Sequence, residues 1–413
     1  MKIVADLHVH SKFSRATSRD MDAGTIALWA GHKGIDLVGT GDFTHPEYLK
    51  ELKKILRPSA DGLFTPRGAK GGVHFMLTTE VSNIYSYKGR TRRIHNVLLA
   101  PSFEAVDRIN RALSRFGRLD YDGRPMFGFN AKDLVKLVMD ASPLCMVIPA
   151  HAWTPWYSVF GSNSGFDSIE ECFEEQAVHI HAIETGLSSD PPMNWRLDAL
   201  DRITLVSNSD AHSPEKLGRE ANVFECDMRY EDIVSAIKTK DRGRFLSTIE
   251  FFPEEGKYHF DGHRNCKVRL SPQQTGQHDG TCPVCGGPLT IGVLNRVERL
   301  ATRREGAVPE NVIPFKHLIP LKEIMADVLS TGAGTVKVDR LYTEAVIERG
   351  VPELDILVDM PEKELRRLLP EGIVQGVMKV RDGMVDIEPG YDGEYGRISI
   401  RRDARQSPQQ TLF

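Results

Sequence analysis

The stretch KIVADLHVH (2–10) decides how this chain is read. KIVA (2–5) is a short apolar run of the kind that forms a buried strand, and it leads straight into Asp6, His8 and His10. Alternate side chains of an extended backbone share a face, so the three ionisable groups point the same way at the strand's end. The pattern recurs down the chain. IDLVGTG (35–41) leads into Asp42, with His45 close by, and VHFMLTT (73–79) leads into Glu80. CMVIPA (145–150) ends at His151, HIHAI (179–183) at Glu184, and ITLVSNS (203–209) at Asp210, followed by His212. HNVLLA (95–100) differs in opening with its histidine, His95.

Amphipathic segments at 22–33, 103–115, 131–140 and 193–201 lie between these runs. Strand–helix alternation predicts a parallel α/β sheet or barrel, and the catalytic groups of such barrels collect at the C-terminal ends of the strands. An isolated strand-end carboxylate is commonly a helix N-cap, a role Asp210 would fit before AHSPEKLG. Repeated endings in His, Asp or Glu read instead as a metal cluster. Imidazoles favour Zn, Mn, Fe or Ni over Mg and Ca, and carboxylates can bridge two ions, with Glu80 and Asp210 the natural bridges. Two ions roughly 3.5–4 Å apart activate water and stabilise the leaving oxygen of an in-line displacement. That chemistry is phosphoester hydrolysis.

The chain has 413 residues, enough for two or three domains. No apolar run approaches the roughly 20 residues a membrane span needs, so no membrane role is expected. The first residues lack the basic and apolar regions of a signal peptide, and six cysteines are too few for a disulfide scaffold. A reducing, cytoplasmic location fits. The net charge of −4 does not advertise nucleic acid, although a basic groove can sit on a neutral protein.

Character changes after Phe251-Phe252-Pro253. The expected organisation is a barrel over 1–252, a zinc module over 253–290, a helical region over 291–400 that closes in a β-hairpin, and a flexible tail over 401–413. HRNC (263–266) and CPVC (282–285) each place two ligands on a tight turn, and 15 residues separate them. His263, Cys266, Cys282 and Cys285 thus have the spacing of a structural Cys₃His zinc site. Cys145, Cys172 and Cys226 read as core residues.

Taken together, DLHVHSKFS, TTEVS, HNVLLAP, PAHAWTPW and SNSDAHSP resemble the polymerase-and-histidinol-phosphatase (PHP) superfamily and, within it, the endonuclease Q family. The zinc module after the barrel supports the narrower likeness. The resemblance implies a distorted β/α barrel of PHP type. It implies a metal-dependent endonuclease that nicks DNA 5′ to deaminated bases (uracil, hypoxanthine, xanthine) and at abasic sites. By the same likeness His8, His10, Glu80, His95, His151, Asp210 and His212 match metal ligands, with Asp210, His212, Glu80 and Asp42 the catalytic set. Many PHP proteins carry Thr-Asp-His where this chain has Gly41-Asp42-Phe43. Two or three divalent ions (Zn, Mn or Mg) are therefore expected, beside one structural zinc. The rivals are a phosphatase or 3′→5′ exonuclease of the same superfamily, and an inactive DNA-binding adaptor.

Base-inspecting enzymes take the base out of the stack. The loop HAWTPWYSVFGSNSGF (151–166) offers Trp153, Trp156 and Tyr157 for stacking on it. Arg92 and Arg93 are the first choice for phosphate contacts. QQTLF (409–413) has the form of the peptide by which bacterial proteins bind the sliding clamp, with Gln409, Leu412 and Phe413 as anchors. The expected partners are damaged DNA and that clamp.

Overall fold

The computed structural model describes residues 1–68 and 72–401, so QQTLF lies outside the described residues. Lys2–Asp6 forms a strand that is buried from Ile3 onward. It runs parallel to Leu37–Gly39 on one side and antiparallel to Ala221–Glu225 on the other. Leu37–Gly39 pairs in parallel with His74–Tyr87, which pairs antiparallel with Arg90–Ala100, itself antiparallel to Met146–Pro149. Ala182–Glu184 and Thr204–Val206 form a separate parallel pair.

Single hydrogen bonds, not full ladders, close the ring across that pair. Ala152 N donates to Glu184 O (2.9 Å), Ser207 N to Asn222 Oδ1 (2.9 Å) and Asn222 Nδ2 back to Ser207 O (2.7 Å). The result is a distorted β/α barrel, as the PHP likeness implies.

A parallel sheet or barrel, the expectation from strand–helix alternation, is corrected at several strands, Leu63–Pro66 among them. His74–Tyr87 and Arg90–Ala100 are joined by Lys88 and Gly89 alone, both with positive φ (48° and 74°). A two-residue connection of that hand makes an antiparallel hairpin, whereas a parallel pair needs a crossover of a dozen or more residues. Ala221–Glu225 likewise returns antiparallel beside Lys2–Asp6. The hairpin also explains His95. His95 lies midway along Arg90–Ala100, opposite Ser82, so the antiparallel turn brings it close to the level of Glu80.

Helices Ala23–Lys33, Phe103–Leu113, Ala131–Ala141 and Tyr230–Thr239 cover the sheet. Asp22 caps the first by accepting from Gly24 N and Thr25 N, which satisfies donors a helix start otherwise strands. The helix expected over 193–201 reduces to a turn at Pro191–Asn194 and a 3₁₀ turn at Asp198–Leu200.

Beyond the barrel, Asp261–His263 and Val268–Leu270 form a small antiparallel pair that flanks HRNC. Phe315–His317 then adds a parallel strand to Phe245–Glu250 of the barrel sheet, a connection the sequence did not suggest. Helices Leu321–Val328, Val336–Tyr342, Glu362–Leu368 and Glu371–Arg381 follow, then the hairpin Val385–Glu388/Arg397–Ile400. One apolar core runs from the barrel into these helices. A buried ion pair joins Lys33 of the first barrel helix to Glu353, which also accepts from Tyr342 Oη (2.7 Å) and Leu321 N (2.9 Å). Among the described residues no helix is long and apolar enough to cross a membrane.

Candidate metal centre and its cavity

The ionisable residues that follow the apolar runs converge, although Glu80 lies inside His74–Tyr87 and His95 inside Arg90–Ala100 and not at an end. His8, His10 and Asp210 bring one ligand atom each within 4.8 Å of one another, and Glu80, His95 and His151 do the same. Glu80 stands between the two sets. Its Oε1 lies 2.7 Å from His95 Nδ1 and 3.1 Å from His151 Nε2, while its Oε2 lies 3.5 Å from His10 Nε2. Asp210 Oδ1 is 3.0 Å from His10 Nε2 and 3.6 Å from His8 Nε2.

Backbone strain helps aim these groups. His151 (φ 30°) and Asp210 (φ 49°) both occupy the left-handed region, which costs a non-glycine residue of order 1–3 kcal/mol and clusters at functional sites. Gly186 lies against His151. A Cβ at 186 would sit 2.6 Å from His151 Cβ, so no other residue fits there unless His151 moves.

Behind this first layer lie two buried carboxylates. Glu184 accepts from His8 Nδ1 (3.0 Å), the backbone N of His151 (2.8 Å) and Asn208 Nδ2 (2.9 Å). Asp42 faces His10 Nδ1 (3.2 Å) and accepts from Ser11 N (2.6 Å), Ser11 Oγ (2.6 Å) and Ser14 Oγ (2.9 Å). A carboxylate on Nδ1 fixes the histidine tautomer and leaves Nε2 with its lone pair toward the centre. Asp42 therefore holds His10 from behind instead of completing a third metal position. His212 Nδ1 lies 2.8 Å from Asp210 O, a carbonyl to which it donates, so its own lone pair is on Nε2. Its ring centroid is 4.5 Å from that of His10.

Two residues suggested by their place in the sequence are elsewhere. Asp6 accepts from Ser209 N and Gly218 N, both at 3.0 Å, and so ties strand ends together instead of joining the cluster. Burial pushes its carboxyl up to about 6. His45 stacks on Phe13 at 4.3 Å and precedes the helix Pro46–Ile55.

The electrostatics and the unmet bonds suit cations. Burial opposes charge on His8, but Glu184, Asp210 and Glu80 outweigh it and raise the imidazole to about 9. Burial also opposes ionisation of Glu80, yet His95, Arg124 and His151 hold its carboxyl well below the ordinary range. His8 Nε2, His10 Nε2 and Asp210 Oδ1 are buried without a hydrogen-bond partner. Buried polar atoms are normally satisfied, so three orphans aimed at one point, all imidazole or carboxylate, fit divalent ions.

A cavity of about 450 Å³ opens over this centre, lined in part by His95, Arg124, His151, Trp156, Tyr157 and Asp210. Arg124 is a residue the sequence reading missed. Its Nη1 lies 3.0 Å from Glu80 Oε2, and nothing in the aperiodic stretch 114–130 marks it. Trp156 is 40% exposed and meets Tyr258 at 5.7 Å, edge to face. Tyr157 lies 4.7 Å from the His95 ring, and the Arg93 guanidinium is 5.5 Å from the Tyr157 centroid.

Two of the expected substrate contacts are corrected. Trp153 is fully buried, stacked on Phe160 at 4.8 Å, with Nε1 donating to Asn194 Oδ1 (2.8 Å). Arg92 is also buried, donating to Gly165 O with its guanidinium 4.1 Å from the Phe166 centroid. Both are structural because both side chains are buried in the protein and not presented to the cavity.

Some distance along the chain, His263, Cys266, Cys282 and Cys285 bring their ligand atoms within 4.8 Å of one another. Cys282 N donates to Gly287 O (2.7 Å) and Gly286 N to Cys282 O (2.8 Å), the tight turn that CPVC followed by two glycines predicts.

Against solved structures, the chain is similar over its full length to the lesion-specific endonuclease Q of Pyrococcus furiosus. The two are 33% identical, with 100% of this chain and 98% of the other covered and a TM-score of 0.87. The chain belongs to the endonuclease Q family. An endonuclease Q bound to a 27-mer duplex with an abasic lesion at its active site is 32% identical, covers 100% of both chains and gives a TM-score of 0.84. Residues 202–241 match the PHP-associated family and residues 320–384 the MJ0043 C-terminal domain family.

Among curated relatives, MJ0043 of Methanocaldococcus jannaschii is 33% identical over 298 residues, which span 70% of this chain and 35% of that protein. YqxK of Bacillus subtilis is 28% identical over 413 residues, 96% of this chain and 99% of the relative. The endonuclease Q family and the PHP match make the chain a metal-dependent phosphoesterase of nuclease type.

Proposed function

We propose that the chain is a DNA repair endonuclease that hydrolyses the phosphodiester 5′ to a deaminated base or abasic site. The observation that carries the reading is the pair of ligand sets meeting on Glu80 beneath an open 450 Å³ cavity, in a family whose solved member holds an abasic duplex. His8, His10 and Asp210 would hold one ion and Glu80, His95 and His151 a second, with His212 offering Nε2 from the rim. Zn, Mn or Mg bound there supplies Lewis acidity and a water of lowered pKa.

The chain's own residues set the geometry of the reaction. Glu184 and Asp42 hold His8 and His10 in one tautomer, and Arg124 keeps a positive charge beside Glu80. The water gives up a proton as its oxygen forms a bond to phosphorus, the P–O3′ bond breaks with its electron pair on O3′, and O3′ takes up a proton in exchange. The products are a 3′-hydroxyl and a 5′-phosphate. Trp156 and Tyr157, at the cavity wall, would stack on the extruded nucleotide. His263, Cys266, Cys282 and Cys285 would hold a structural zinc. Gln409, Leu412 and Phe413 would anchor the chain to the bacterial sliding clamp.

The test uses matched 5′-labelled duplexes carrying uracil, hypoxanthine, an abasic site or no lesion, with Mg²⁺, Mn²⁺ or Zn²⁺. A single nick 5′ to the lesion, lost in Asp210→Ala, is expected. Stepwise release of nucleotides from every duplex would replace this reading with an exonuclease.

A further inference from the structure

Two arginines near the barrel mouth are already engaged. Arg92 is spent on Gly165 and Phe166, and Arg296 on the carbonyls of Phe160 and Phe166 and the carboxylate of Asp167. Arg124 is different. Its one side-chain hydrogen bond among the described residues runs from Nη1 to Glu80 Oε2, and it is the one guanidinium lining the cavity over the cluster.

Its backbone is held on three sides. Gly123 N donates to Phe13 O (3.0 Å) and Gly123 O accepts from Thr44 Oγ1 (3.1 Å). Arg124 N donates to Asp122 Oδ1 (3.1 Å), and Pro125 O accepts from Ser82 N (3.0 Å). A Cβ at 123 would lie 2.4 Å from Asp42 Oδ2 and Ser14 Oγ, so this turn is wedged against the carboxylate that holds His10. The guanidinium thus projects from a fixed tether, and Glu80 keeps it charged despite burial.

We propose that Arg124 is a catalytic residue that receives a non-bridging oxygen of the phosphodiester under attack. This rests on the phosphodiesterase reading above. One nitrogen of the planar fork is anchored on Glu80, and the side chain lines the cavity where an anion would enter. A fork suits a phosphate oxygen better than a point charge does. The charge that builds on that oxygen as water adds is then met by a donor already in place.

The experiment compares wild type, Arg124→Ala and Arg124→Lys in three measurements. These are hydrolysis of bis(4-nitrophenyl) phosphate, binding of inorganic phosphate by calorimetry, and metal content by mass spectrometry. Removing a preorganised donor of this kind costs about 100- to 1000-fold in kcat, and that loss is expected for Arg124→Ala. Phosphate affinity should fall at least about tenfold while metal content stays at the wild-type level, with Arg124→Lys between the two. Wild-type turnover in Arg124→Ala, or activity that falls only in step with lost metal, overturns the proposal. A wild-type chain inactive on every diester would instead refute the phosphodiesterase reading. The phosphate calorimetry then still decides whether Arg124 receives the anion.

Discussion

Glu184→Gln isolates the layer behind the candidate metal centre, because it changes no volume and removes one charge. Three donors converge on the two Glu184 oxygens: His8 Nδ1, His151 N and Asn208 Nδ2. Asn208 cannot turn to accept, since its Oδ1 already takes Leu7 N (2.8 Å) and Asn222 Nδ2 (2.9 Å). Nor can a backbone N–H become an acceptor. Whichever way a glutamine amide is placed, its NH₂ faces a donor.

The cost follows from that mismatch. One buried donor left unsatisfied destabilises by about 1–3 kcal/mol. The easier escape is for His8 to shift its proton to Nε2, which removes the lone pair that should meet the ion. Orienting partners of this kind are worth 10- to 100-fold in metal affinity or activity. The assay is a calorimetric Mn²⁺ titration of the chelator-treated variant, paired with thermal melting in chelator. The expected result is metal binding weakened about 10- to 100-fold with a modestly lowered Tm. A Glu184→Gln chain that binds Mn²⁺ with wild-type affinity and melts at the wild-type temperature would refute the reasoning.

Other outcomes follow from the same structure. Trp153→Ala should destabilise by about 3–5 kcal/mol, since it empties a fully buried site, whereas Trp156→Ala should leave the denaturation midpoint unchanged and slow nicking of lesion duplexes. Equal effects of the two on stability would contradict their assigned places. Cys282→Ser should remove one equivalent of zinc as read by mass spectrometry and leave the barrel ions in place; retained zinc would show that HRNC and CPVC do not share an ion. Burial works against ionisation of Glu353, but Lys33 and Tyr342 hold its carboxyl below the ordinary value of 4.5. Its stabilisation is therefore complete above the unfolded pKa and lost as pH falls through the lower folded one. Glu353→Gln should flatten that acid limb in denaturation curves and, by stranding Lys33, cost about 3–5 kcal/mol at neutral pH.

Much of the site was legible because its residues adjoin apolar runs that form strands. An apolar run followed by an ionisable residue is a local signal, and barrel geometry brings local signals of that kind to one place. Hence His8, His10, Glu80, His95, His151 and Asp210 could be picked out one strand at a time. HRNC and CPVC were legible for the same reason, since each half-site is a single turn. What proximity along the chain could not give was the division of labour. Asp6, Asp42 and Glu184 follow apolar runs just as Glu80 and Asp210 do, yet one ties backbone and two hold histidines from behind.

The sequence by itself determined the alternation of strands and helices, the residues able to bind a metal and the paired HRNC and CPVC turns, because strand periodicity and turn chemistry are written in neighbouring residues. Only the tertiary structure decided the antiparallel turn that aims His95, the burial of Trp153 and Arg92, and the strand Phe315–His317 laid on the barrel. It alone brought Arg124 to Glu80 across 44 residues of chain. The physical reason is common to all of these. A side chain's partner is set by what surrounds it after packing, and those surroundings come from segments whose sequences carry no record of one another.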